Sequence, residues 1–290
     1  MIEVRGRANM KKLFVLIIAI LLVLTFAGCG GGGSDDDPAG GGTDNGGGNG
    51  GNGGNGGGAG GGGGGVAYEG LCFTSTGYSS FRVTAEGGLD PVPSLEYSKD
   101  GSTWTALGTS PVALEPGDKV YLRGDNAEFS YNDSKYVHFI MSGSIAASGN
   151  IMSLVDSTCA SLTIPNVFCF YNLFKDCAAL TSAPELPATT LKSSCYGGMF
   201  KGCSNLTVAP ALPAETLEAH CYEYMFNGCS VLNSIEVHFT DWKYGSPNFS
   251  THEWVDGVPA AGDFYCPAGL VDRTEHISKV PAGWTMHDLP

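Results

Sequence analysis

One spacing, 26 residues, dominates the sequence. It separates Cys169, Cys195 and Cys221, and it also separates Cys177, Cys203 and Cys229. Phe174, Phe200 and Phe226 keep the same interval, as do Leu180, Leu206 and Leu232. Pro184 recurs as Pro210, and Leu186-Pro187-Ala188 as Leu212-Pro213-Ala214. The third copy replaces the prolines with Ile235-Glu236-Val237-His238-Phe239, a plain alternating run. A segment this short cannot bury its own apolar residues, so the copies must stack, each Phe and Leu over its equivalent. Loss of pattern at the end of an array is how a capping unit reads.

In its fullest copies the unit runs Cys-Tyr-x-x-Met-Phe-x-Gly-Cys-x-x-Leu-Thr-x-Ala-Pro-x-Leu-Pro-Ala-x-Thr-Leu. The Phe-x-x-Cys-x-x-Leu step followed by Leu-Pro resembles the BspA-like leucine-rich repeats of bacterial surface proteins, from about Ser153 to Trp254. The resemblance implies a solenoid with one short strand per unit, near Leu180–Leu186, Leu206–Leu212 and Leu232–Phe239. Equivalent side chains would then form ladders at about 4.8 Å. With the leucines inward, the candidate binding face consists of Thr181, Ser182, Glu185, Thr207, Asn233 and Glu236. Three rungs make it under about 20 Å across.

Glycine is the next constraint. Of 44 glycines, 23 fall within Gly30–Gly65, a stretch with no large apolar or aromatic residue. Such a chain cannot offset its backbone entropy by burial and is expected to be disordered. As a coil it would span about 33 Å. Before it come Met10-Lys11-Lys12, the apolar run Leu13–Phe26 and Ala27-Gly28-Cys29. A positive end, an apolar stretch and small residues before a cut site are the parts of a secretory signal. Cys directly after Ala-Gly makes it resemble a bacterial lipoprotein signal. That resemblance implies cleavage after Gly28 and lipidation of Cys29. Acyl chains at about 0.8 kcal/mol per buried methylene would hold the protein on a membrane. Asp35-Asp36-Asp37 resembles the acidic export signal of surface-exposed lipoproteins, which implies the outer membrane and the cell surface. Periplasm-facing retention is the alternative.

Between residues 66 and 149, period-two alternation and frequent turns predict an antiparallel β-sandwich. Asp100-Gly101 sits between two β-prone runs and reads as a type I′ hairpin. Trp104, Tyr121 and Phe139 are expected in the core, and His138 has no metal-ligand partner nearby in sequence. Residues 241–290, with Trp242, Trp254 and Trp284 among turn residues, are expected to cap the last rung. The fold expected is therefore mainly β. A signal (1–29) and a glycine tether (30–65) precede a β domain (66–149), a leucine-rich-repeat-like solenoid (150–240) and a cap (241–290).

Beyond Cys29 nine cysteines remain. Three readings compete: buried thiols acting as small apolar fillers, disulfides within a unit such as Cys169–Cys177, and zinc ligation. Zinc ranks last because Cys-x7-Cys lacks the short paired spacing of zinc sites. From Val66 onward 24 Asp and Glu face 11 Lys and Arg, an acidic balance that disfavours nucleic acid. No Gly-x-Ser-x-Gly, His-Glu-x-x-His or phosphate-loop motif occurs, so the chain reads as non-catalytic, with no metal and no cofactor. The function expected is adhesion or interaction: a lipid-anchored surface protein whose repeat face binds a host protein or matrix component. The rival is a glycan-binding lipoprotein of a polysaccharide-uptake system, recognising sugars through exposed aromatics.

Overall fold

Alternation of apolar and polar residues shapes the first strands in a computed structural model that describes residues 68–243, 245 and 248–289. The signal, Cys29 and the glycine tether lie outside the described residues. Strands β1 (Cys72–Ser75), β3 (Glu96–Ser98), β4 (Thr105–Ala106), β6 (Lys119–Arg123), β8 (Ile145–Ser148) and β9 (Leu180–Ser182) build one sheet, in the order β4-β3-β6-β1-β8-β9. A second sheet joins β5 (Val112–Leu114), β2 (Ser79–Ala85) and β7 (Val137–Ser142). The third is parallel and joins β10 (Ser234–Glu236), β11 (Asp263–Pro267) and β12 (Thr285–Leu289). The described chain is mainly β, with several sheets and no barrel.

The first two sheets meet through phenylalanine. Phe73 on β1 lies 5.0 Å from Phe81 on β2 and 5.2 Å from Phe139 on β7, all three fully buried. Of the three aromatics expected in this core, only Phe139 is there. Tyr121 alternates with the buried Val120 and Leu122, so the pleat turns it outward. Trp104 precedes β4 and is half-buried on the outer side, edge-on to Tyr68 at 4.9 Å. The Asp100-Gly101 turn also differs from a two-residue hairpin. Asp100 accepts from the N–H groups of Ser102 and Thr103, and Ser98 Oγ from those of Asp100 and Gly101. These local bonds hold a longer loop, Lys99 to Trp104, in place of the type I′ turn.

The 26-residue units lie one over another. Within each, a ribbon runs through the Cys–Phe–Cys segment with alternating amide duties. The N–H groups of Phe168, Phe170, Asn172, Phe174 and Asp176 donate to Ser193, Cys195, Gly197, Met199 and Lys201 of the next unit, at 2.7–3.0 Å. The amides between them close local turns, as in Tyr171 to Phe168 and Cys177 to Phe174. Every fourth ribbon residue has a left-handed backbone, beginning with Phe168, Asn172 and Asp176. The next unit repeats the arrangement at Ser194, Gly198 and Gly202.

This ribbon, rather than the leucine segments, carries most of the ladder. The expected strands shrink to Leu180–Ser182 in the first unit and Ser234–Glu236 in the third. The middle segment, Leu206–Leu212, forms only isolated bridges, Val208 to Ser234 and Leu212 to Val237. Pro184, Pro187, Pro210 and Pro213 explain the loss, because proline has no N–H to give a ladder.

Columns of like side chains fill the interior. Phe174 stacks on Phe200 at 5.6 Å and Phe200 on Phe226 at 5.8 Å, with interplanar angles of 0° and 2°. All nine described cysteines are free thiols. Cys203 donates to the carbonyl of Phe174 at 3.0 Å and Cys229 to that of Phe200 at 3.1 Å. Burial pushes the Cys177, Cys195 and Cys229 thiols up to about 12.

Past Thr240 the stack continues. Phe226 donates to Trp254, and β10, β11 and β12 pair in parallel register through Ile235, Phe264 and Met286. The interval between rungs widens here, from 26 residues (Val208 to Ser234) to 29 (Ile235 to Phe264). The segment expected as a cap thus adds two further strands in register. Its tryptophans are interior, and each indole N–H is spent on a backbone carbonyl: Trp242 on Val271, Trp254 on Lys279 and Trp284 on Pro259.

Candidate functional site

The six residues of the expected binding face do not share one surface. Thr181 and Ser182 sit where β9 meets β8. The Thr181 hydroxyl donates to the carbonyl of Ile145 at 3.2 Å, and the Ser182 hydroxyl to that of Ala147 at 2.7 Å. Both are half-buried and committed to packing. The sequence places them on an open face because nothing in it predicts that the preceding sheet donates a strand alongside β9. Glu185, Thr207 and Asn233 are exposed, and Glu236 is half-exposed.

Around Glu236 the structure assembles a polar surface. Parallel pairing puts Glu236, Tyr265 and His287 in one row and Ser234, Asp263 and Thr285 in the next. The pleat turns both rows to the side opposite the buried Ile235 and Phe264. His238 Nε2 lies 2.9 Å from Glu236 Oε1, and His287 Nε2 lies 2.7 Å from Asp263 Oδ1. Tyr265 stacks on His287 at 4.7 Å and 18°. Asp263, Tyr265 and His287 were not among the candidates. Their one sequence signal is the alternation in Asp263-Phe264-Tyr265-Cys266-Pro267, which carries no 26-residue marker.

Beside this surface is a shallow apolar groove of about 290 Å³. Pro184, Pro187, Pro210 and Pro213 line it, with Glu185 at its edge. It opens where the prolines interrupt backbone pairing between the first and second units. The strand side therefore offers charge, hydrogen bonding and a small apolar depression, which are the components of a protein interface.

Aromatic residues form a second kind of surface. On the outer side of the first sheet, the Arg123 guanidinium covers Trp104 at 4.0 Å and also pairs with Glu96 at 2.8 Å. On the ribbon, half-buried rings gather in two groups. Tyr171 contacts Tyr136 and Phe168, while His252 contacts Tyr224 and Phe249. Among the described residues no cluster of three or more His, Cys, Asp or Glu is placed to hold a metal ion. No described helix is long and apolar enough to cross a membrane. Comparison with protein-family models, with curated proteins and with solved structures finds no match.

Proposed function

We propose that the protein is a non-catalytic, lipid-anchored module of the outer cell surface that presents the strand side of its stacked units to a protein partner. Cys29 is the lipid attachment point, and the glycine segment is the tether that sets its reach. In this reading the two facing sheets are a small β-sandwich, and the stacked units a short leucine-rich-repeat-like solenoid of the BspA-like kind.

The observation that carries the reading is the polar row of Glu236 and Tyr265 next to Asp263, together with the proline groove that Glu185 helps to line; Thr207 and Asn233 are exposed as well. These carboxylates lie on a folded part that is acidic overall. Charge complementarity then favours a basic protein segment, such as an exposed stretch of a host or matrix protein.

Three measurements test this. Proteinase added to intact cells should digest the folded part, and a protected chain would remove surface placement. Cys29→Ser should abolish fatty-acid labelling and release the protein from membranes. Cells bearing the Glu185→Lys/Glu236→Lys pair should bind immobilised matrix proteins less well than wild type, whose binding should weaken with salt. Unchanged adhesion in that pair would sink the strand-side assignment.

A further inference from the structure

On the outer face of the second sheet, three small side chains stand abreast. Ser80 of β2 is paired with Ala113 of β5 on one side and with Ser142 of β7 on the other. The next row, Val112, Phe81 and Met141, faces the core, and Phe81 is fully buried. Period-two pleating therefore puts Ala113, Ser80 and Ser142 together on the exposed side. None of the three rises far from the sheet, so the row is a low floor. The Ser80 and Ser142 hydroxyls lie 2.9 Å apart along it.

Taller groups border the floor. Tyr78 stands at the entry to β2, and Lys99, Glu115 and Asp118 come from the loops after β3 and β5. Together they bound a depression of about 650 Å³, inside the range of about 300–1,000 Å³ usual for ligand clefts. Lys99 Nζ lies 3.2 Å from Asp118 Oδ2, which also accepts from the Glu115 N–H at 3.1 Å. The Tyr78 ring is open to solvent. At 79% it is the most exposed large apolar or aromatic side chain among the described residues. Its backbone, by contrast, is held. The turn between β7 and β8 comes so close at Gly143 that a Cβ there would lie 2.4 Å from the Tyr78 carbonyl oxygen. Beside it, Ser79 Oγ accepts from the Ser144 N–H at 3.0 Å. An open ring on a fixed backbone has little freedom left to lose when a ligand covers it.

We propose that this depression binds an uncharged glycan, one sugar ring lying against Tyr78 with its hydroxyls turned to the Ser80–Ser142 pair, Lys99 and the two carboxylates. A pyranose offers an apolar C–H face to an aromatic ring. The hydroxyls on its rim both donate and accept, which serines, an ammonium group and carboxylates can answer. One ammonium against two carboxylates disfavours a polyanionic chain. The site shares no residue with the strand-side protein surface, and either can fail without the other.

The test uses the full chain in detergent, run in native gels containing laminarin, xylan, mannan or glycol chitin, all uncharged, or polygalacturonate. At least one uncharged polysaccharide should retard the wild-type protein, and polygalacturonate should not. Tyr78→Ala and the floor-filling Ala113→Arg should each weaken that retardation tenfold or more with Tm unchanged, since both positions are exposed. Tyr131→Ala, at an exposed tyrosine that does not line the depression, should bind as wild type. The Glu185→Lys/Glu236→Lys pair should also keep its retardation, which separates this site from the strand-side reading. Lack of retardation by all four uncharged polysaccharides would overturn the proposal. Retardation that survives both Tyr78→Ala and Ala113→Arg would overturn it too, as would an equal loss in Tyr131→Ala.

Discussion

Phe139 stacks on Phe174 with 5.3 Å between ring centroids and 17° between planes. Phe139 belongs to β7 and Phe174 to the first repeat unit, yet they meet as Phe174 meets Phe200. The equivalence extends to the backbone. Phe139 N–H donates to Leu173, and the Cys177 thiol donates to the Phe139 carbonyl at 3.2 Å, as Cys203 does to Phe174. With Ile145 paired in parallel to Leu180, β7 and β8 act as the rung beneath the first repeat.

That joint predicts one cooperative unit. Phe139→Ala should cost about 3–5 kcal/mol, the range for emptying a buried phenylalanine site. Fluorescence and circular dichroism should still report a single shared urea transition, shifted to lower denaturant. Two separated transitions would mean that the early sheets fold independently of the repeats.

The cysteine columns set a stability limit at high pH. An unfolded thiol ionises near 9, whereas burial holds Cys177, Cys195 and Cys229 protonated up to about 12. Above pH 9 the unfolded chain therefore binds fewer protons than the folded one, and stability falls as pH rises. Urea midpoints should be level below pH 8 and decline between pH 9 and 12, less steeply in Cys229→Ala. Maleimide at pH 7 should leave the repeat thiols unmodified until the chain is unfolded.

The glycine column can be tested by exchange. Gly228 has φ 77°, and a Cβ there would make an ordinary contact, 3.6 Å from the Gly202 Cα. Gly228→Ala should thus cost about 1–2 kcal/mol, from the backbone conformation alone. Asp176→Gly, at the same place one unit away from Gly202, should hold or raise Tm. Equal effects of the two changes in a melting experiment would show that handedness does not govern this column.

Thr181 and Glu236 should separate packing from recognition. Thr181→Val removes the hydroxyl that bonds Ile145 and should cost about 1 kcal/mol without changing adhesion. Glu236→Gln should leave stability within about 0.5 kcal/mol, as a partly exposed surface change, while weakening capture of a basic partner. Paired melting and adhesion measurements distinguish the two, and the reverse pattern would place recognition at the β8–β9 joint.

Much of the stack can be read directly from the sequence. A spacing repeated along the chain becomes a translation in space, so Phe174, Phe200 and Phe226 had to form a column once the units stacked. The thiols followed as fillers for the same reason. Only the tertiary structure decided where the stack begins and ends. A rung is defined by the volume it fills and the hydrogen bonds it accepts, not by residue identity. Phe139 can therefore serve as a rung without a repeat around it, and Trp254 can continue one after the interval has lengthened. The same joint hid Thr181 and Ser182, because which edge of a strand is covered depends on the neighbouring sheet. The pleat of β6 likewise sent Tyr121 outward, a consequence of register that the aromatic character of the residue does not reveal.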